Sequence, residues 1–146
     1  MNKDIQEETA RLKREVLAEH GIDLKDTNLL HDVRRWVELI HEYLTSEELT
    51  VEWLQEQPGM SRKTTVRFCA ENQVSTKAYI TRLRVELVRK IIAKEDTTLM
   101  SVALRVGFRD HSTLTKAFIK HAGCLPSEIT NEKNGKMGDK NSSIRD

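Results

Sequence analysis

The chain has little of what several classes of protein need. Two cysteines in 146 residues, Cys69 and Cys124, cannot make a disulfide framework and fit a reducing cytoplasm. No apolar run is long enough for a membrane helix. The opening MNKDIQEETARLKRE is charged throughout, unlike a secretory signal. There is no phosphate-cradling Gly-rich loop and no His, Asp, Glu or Cys set at catalytic spacing. No catalytic residue, cofactor or metal is therefore expected. Cys124 follows His121 by three residues, but a single His–Cys pair lacks the four ligands of a structural zinc site, so Cys124 reads as a small buried residue. His20, His31 and His41 are scattered at helix edges and read as solvated.

Net charge is also nearly absent, at +1, but that value hides three unequal zones. Residues 1–57 hold 7 Lys/Arg against 14 Asp/Glu, a net −7. Residues 58–121 hold 13 against 5, a net +8, and residues 122–146 hold 4 of each. The local excess is what matters for phosphate contacts. The length suits one domain, or one domain with an arm.

What is present is a pattern between Leu99 and Ile129. Leu99, Val102, Ala103 and Val106 follow the i, i+3, i+4, i+7 stripe of an amphipathic helix, and Thr97 or Thr98 can cap its start. Gly107 suits the left-handed exit from that helix, where a Cβ would clash. Phe108 anchors the turn. Asp110 is the N-cap of a second helix with Leu114, Ala117 and Phe118 inward. Its outer side carries His111, Ser112, Thr113, Thr115 and Lys116, with Arg109 just ahead. Gly123 ends that helix and Pro126 starts a short one. A helix crossed by a second across a glycine turn presents such a row to the DNA major groove. Periodicity alone fits equally a helical core unit that touches no nucleic acid; the basic zone around the pattern favours DNA.

Upstream, residues 32–44 place Val33, Val37, Ile40 and Leu44 on one stripe beside Trp36. The segment TVEWLQEQ is short and stops at Pro58-Gly59, and Ser61 then opens RKTTVRFCAEN, a second basic helix. From Ser75 to Ala93 runs a long helix with Tyr79, Leu83, Leu87 or Val88, and Ile91 inward. At about 1.5 Å per residue it spans roughly 28 Å, enough to hold two recognition helices near one DNA turn apart.

Several of these residues carry a resemblance. Tyr79-Ile80-Thr81-Arg82-Leu83-Arg84, then Leu99, Val102, Ala103, Val106, Gly107 and Phe108, then Ser112, Leu114, Lys116 and Phe118, then Gly123 and Pro126, resemble the DNA-binding domain of AraC/XylS-type transcription regulators from about residue 28 to residue 130. The resemblance implies an all-α fold of two helix–turn–helix subdomains joined by the long helix. Leu54, Gly59 and Ser61 match its first subdomain, with Gln55 and Pro58 departing from it. The following helix is one residue short. One register keeps Arg67 in place and deletes a glycine near Gln73; another keeps Phe68 as the core aromatic and shortens the helix start. We take the first, because it leaves the turn before Ser61 intact. Arg62, Lys63, Thr64, Val66 and Arg67 are then the groove-facing candidates.

Residues 1–27 read as an N-terminal helical arm with Ile5, Leu12 and Val16 or Leu17 on a weak stripe. They hold too few apolar groups to enclose a ligand, so no small-molecule effector is expected. The arm either docks on the domain or frays in solvent; the sharper alternative is a partner or self-association helix. Residues 131–146 read as a disordered polar tail. The expected function is a stand-alone, sequence-specific transcription regulator, an activator binding double-stranded DNA as a monomer, with RNA polymerase as a candidate partner. The alternative is a protein-interaction module that keeps the fold and modulates another regulator or RNA polymerase.

Overall fold

The computed structural model describes residues 3–133, with side chains described as far as Ile129. The described residues form eight helices and no strand. They are α1 (Lys3–His20), α2 (His31–Glu42), α3 (Val51–Gln55), α4 (Arg62–Asn72), α5 (Thr76–Lys94), α6 (Leu99–Arg105), α7 (His111–Ala122) and α8 (Pro126–Lys133). Residues 131–133 of the segment read as a tail belong to α8; the rest of it lies outside the described residues.

The long helix α5 is the axis of the molecule. Helices α1, α4, α6, α7 and α8 all pack on it. Tyr79, Leu83, Leu87, Val88 and Ile91 are buried as their spacing predicts, and so are Ile80, Val85 and Ile92. A helix flanked on several sides buries more than one stripe. Helix α2 buries Val33, Trp36, Val37, Leu39 and Ile40. The Trp36 indole N–H donates to Thr76 Oγ1 (3.1 Å), which satisfies the polar edge of a fully buried ring and ties α2 to the start of α5.

Arg84 joins the two halves. It is 8% exposed, and its Nε–H and Nη2–H donate to the carbonyls of Leu44 and Ser46 (both 2.8 Å). Its guanidinium lies 5.8 Å from the Phe108 ring centroid, within cation–π range. Burial pushes its pKa down to about 10, so it is still a cation at neutral pH.

The arm is docked. Leu12 and Val16 are fully buried against the core and Thr9 is buried with them, whereas Ile5 is half-buried. His41 is not a solvated surface residue as its sequence position suggests. Its Nε2 is 2.6 Å from the Tyr79 hydroxyl, which also accepts the Ile22 N–H (2.9 Å). Burial lowers the His41 pKa to about 4, with the Lys13 charge adding to the effect. A cavity of about 350 Å³ lies where α1 meets α6, lined by Gln6, Thr9, Lys13, Thr45, Leu104 and Arg105 among others.

Candidate nucleic-acid interface

Two helix–turn–helix units hang on α5: α3 with α4, and α6 with α7. In the second unit Thr98 caps α6 by accepting the Ser101 N–H (3.1 Å). At the far end, Phe108 N–H donates to the Ala103 carbonyl (2.9 Å) and Gly107 N–H to the Leu104 carbonyl (3.4 Å). These are the paired bonds of a Schellman exit, with Gly107 at φ +100°. The glycine is required twice over, because a Cβ there would lie 2.8 Å from the Arg84 guanidinium. Asp110 then caps α7, its carboxylate accepting the Thr113 N–H (2.8 Å). Hydrogen bonding to Thr113 holds the Asp110 pKa below its ordinary value.

With Leu114 and Phe118 fully buried, the face of α7 turned away from the core is set. Arg109, His111, Ser112, Thr113 and Lys116 are exposed. Thr115 is half-buried, and its hydroxyl donates back to the His111 carbonyl (2.8 Å). Lys120 and Ile119, one turn beyond Lys116 and Thr115, are also exposed and extend the face past the expected residues. The signal for Lys120 is its i+4 spacing from Lys116.

The first unit differs in detail. Thr50 caps α3 by accepting the Trp53 N–H (3.0 Å), and Gly59 turns the chain at φ +79° in open space. Ser61 caps α4 with a reciprocal box to Thr64. Thr64 is 1% exposed, and its hydroxyl donates to Asp32 Oδ2 (3.0 Å). It therefore faces the core and cannot be a groove contact, which corrects its place among the candidates. The register is corrected for the same reason. Thr64 and Phe68, four apart, are the buried pair of α4, as Leu114 and Phe118 are of α7. The cap precedes the first buried residue by three positions in α4 and by four in α7, while Phe68 to Gln73 and Phe118 to Gly123 are both five. The missing residue is thus at the helix start, and Phe68 is the core aromatic. Gln73 occupies the left-handed exit (φ +54°) where glycine is the unstrained choice.

Arg62, Lys63 and Val66 project from α4 into solvent, Val66 at 62% exposure. Arg67 is exposed but engaged: its Nε–H (3.0 Å) and Nη2–H (2.7 Å) both donate to Asp32 Oδ2. That contact lowers the Asp32 pKa. Arg62, Lys63, Arg109 and Lys116 have no ion pair among the described residues. The basic zone is accordingly less available than its net charge suggests. Arg84 is buried, Arg105 pairs with Glu95, Arg89 with Glu86, and Lys90 with Glu15 and Glu19. Among the described residues no group of three or more His, Cys, Asp or Glu could hold a metal, and no helix is long and apolar enough to cross a membrane.

Two helix–turn–helix units on a shared axial helix define an all-helical, paired-unit class. A family profile described as "Helix-turn-helix domain" matches residues 54–132, more than half of the chain. The chain belongs to the AraC-type helix-turn-helix family. It is similar to the "Probable transcription factor PqrA" of Proteus vulgaris, at 24% identity over 113 residues, 77% of this chain and 89% of that protein. It is 34% identical over 56 residues to the "Melibiose operon regulatory protein" of Escherichia coli strain K12, covering 38% of this chain and only 18% of that relative's length. Among solved structures, the DNA-binding domain of AdpA, in complex with a target DNA, superposes with a TM-score of 0.64 at 22% identity, over 74% of this chain and 97% of that one. The shared fold is that of AraC-type DNA-binding domains with two helix–turn–helix units.

Proposed function

We propose that the chain is a sequence-specific, DNA-binding transcription regulator that places α4 and α7 in successive major grooves of one duplex. The observation that carries this reading is the outward face of α7, where Arg109, His111, Ser112, Thr113 and Lys116 are exposed above a closed core. Exposed donors and acceptors on the second helix of such a unit are what base-edge reading needs. On α4, Arg62 and Lys63 serve as phosphate anchors, and Val66 supplies apolar contact. The AdpA domain, similar in fold and solved in complex with a target DNA, supports duplex DNA as the partner.

One chain with two reading helices has no need of a dimer, so the bound form is a monomer acting in the cytoplasm. The cavity beside α1 does not argue for an inducer, because the polar heads of Arg105 and Lys13 that line it are engaged by Thr9, Glu95 and the Glu42 carbonyl. Selection from random duplexes tests the reading: a motif of two blocks about one helical turn apart is expected, and failure to enrich any motif at moderate salt overturns it. We propose further that the chain is an activator that meets RNA polymerase. Transcription in vitro from a promoter carrying the selected motif should rise on adding the protein; an unchanged or lowered yield removes the activator.

A further inference from the structure

The family match begins at residue 54, so it assigns nothing to α1, yet side chains of α1 tie to α2, α5 and α6. Toward the second unit, Thr9 Oγ1 accepts from Arg105 Nε (3.0 Å) and Nη2 (2.8 Å). Arg105 is 7% exposed and sits at the end of α6; its other donors go to Glu95 just past α5 (2.9 and 3.2 Å). Toward the first unit the tie is indirect: Lys13 Nζ donates to the carbonyl of Glu42 at the end of α2 (3.2 Å), and α2 packs on α4. Along the axis, Glu15 and Glu19 pair with Lys90 (3.5 and 3.2 Å), and His20 lies 3.5 Å from Glu86. Leu12 and Val16 fill the core beneath these ties.

From this we propose that α1 is a brace that fixes the two helix–turn–helix units relative to each other, making Thr9 and Lys13 positioning residues for the spacing of the two DNA half-sites. The inference rests on the two-groove reading above. Two reading heads on one chain gain from each other only when their separation matches that of their sites, and a rigid frame spares the ordering cost on binding. The long helix alone links the heads along one line. The contacts of α1 add a second line, from the end of α2 to the end of α6, and two lines of support resist the bending that one permits.

The test uses the full chain with Thr9→Val and Lys13→Met together, which removes the polar ties and keeps the apolar bulk. Thr9→Ser retains the hydroxyl and should behave as the unaltered protein. Without DNA, spin labels at Val66→Cys and Ile119→Cys, in a background of Cys69→Ser and Cys124→Ser, report the distance between α4 and α7. A narrow distribution that broadens in the double variant supports the brace; the same narrow width in both overturns it. With DNA, duplexes carry the two selected blocks at altered spacings. The brace predicts that the double variant loses at least about five-fold of its discrimination between the best spacing and one shifted by two base pairs, while its affinity for a single block is unchanged. Equal loss on the single block would mean general damage and overturn the proposal. If the unaltered chain selects no paired motif, the two-groove reading fails, and the label distances still decide the brace.

Discussion

Gly123 leaves α7 at φ +78° and Gln73 leaves α4 at φ +54°; the same left-handed exit is made by the residue suited to it in one half and by a strained one in the other. The pattern repeats along both units. Leu114 and Phe118 fill the core under α7, where α4 offers Thr64 and Phe68. A buried threonine must place its hydroxyl, and it does so on Asp32, which also holds Arg67. One polar residue at a core position has thus drawn a carboxylate to the base of α4, and that carboxylate engages Arg67, which stays exposed. Helix α7 makes no such demand, and its outward face is correspondingly available.

The largest expected effect falls on the turn glycines. Gly107→Ala should cost about 2–4 kcal/mol of stability in denaturant unfolding, combining left-handed strain with a clash on Arg84, against about 1 kcal/mol for Gly59→Ala, which meets open space. Equal losses would mean that Arg84 yields easily and that the halves are less different than their turns suggest. Next come the reading faces. Lys116→Ala should cost about 1–3 kcal/mol of DNA affinity and relax the selected motif at one position, whereas Arg62→Ala should weaken all duplexes alike and flatten the salt dependence. An unaltered affinity and motif after Lys116→Ala would remove Lys116 from the reading set.

Acid sharpens the comparison from another side. His41, in the last turn of α2, has its folded pKa lowered to about 4 from an ordinary 6.5. Its contribution is complete above pH 6.5 and is lost as pH falls from there through 4, because the unfolded chain takes up the proton first. Arg84, with a pKa of about 10, stays charged throughout that window. Melting temperature should therefore fall between about pH 7 and about pH 5, less steeply in His41→Gln, and an identical slope in the variant would discount the His41–Tyr79 contact. The smallest effect is a gain: Gln73→Gly should stabilise the chain by about 0.5–1 kcal/mol by relieving the left-handed glutamine, read as a rise in unfolding midpoint.

The second unit is legible in the sequence nearly residue by residue, because caps, glycine exit and apolar stripe are all local signals. The first is legible as a helix pair but not in register. With the chain one residue short, the start and the end of α4 can each absorb the deletion, and only packing shows that Phe68 points inward. The misplacement of Thr64 follows from that ambiguity. Arg84 and Arg105 count as surface charge in any reading by zones, and only the folded chain shows them buried on carbonyls and on Thr9. The arm's stripe is visible, but the partners of Thr9 and Lys13 lie far along the chain, where no periodicity reaches.

That distance has a consequence for how the molecule is made. Thr9 finds Arg105 across 96 positions of sequence, and Glu19 finds Lys90 across 71. Synthesis delivers α1 well before these partners, so the growing chain carries a helix whose apolar stripe gains its main seat only when α5 has emerged and its last tie when α6 has. Closing so long a loop is entropically slow to begin, which makes docking of α1 a late step relative to the local helix pairs.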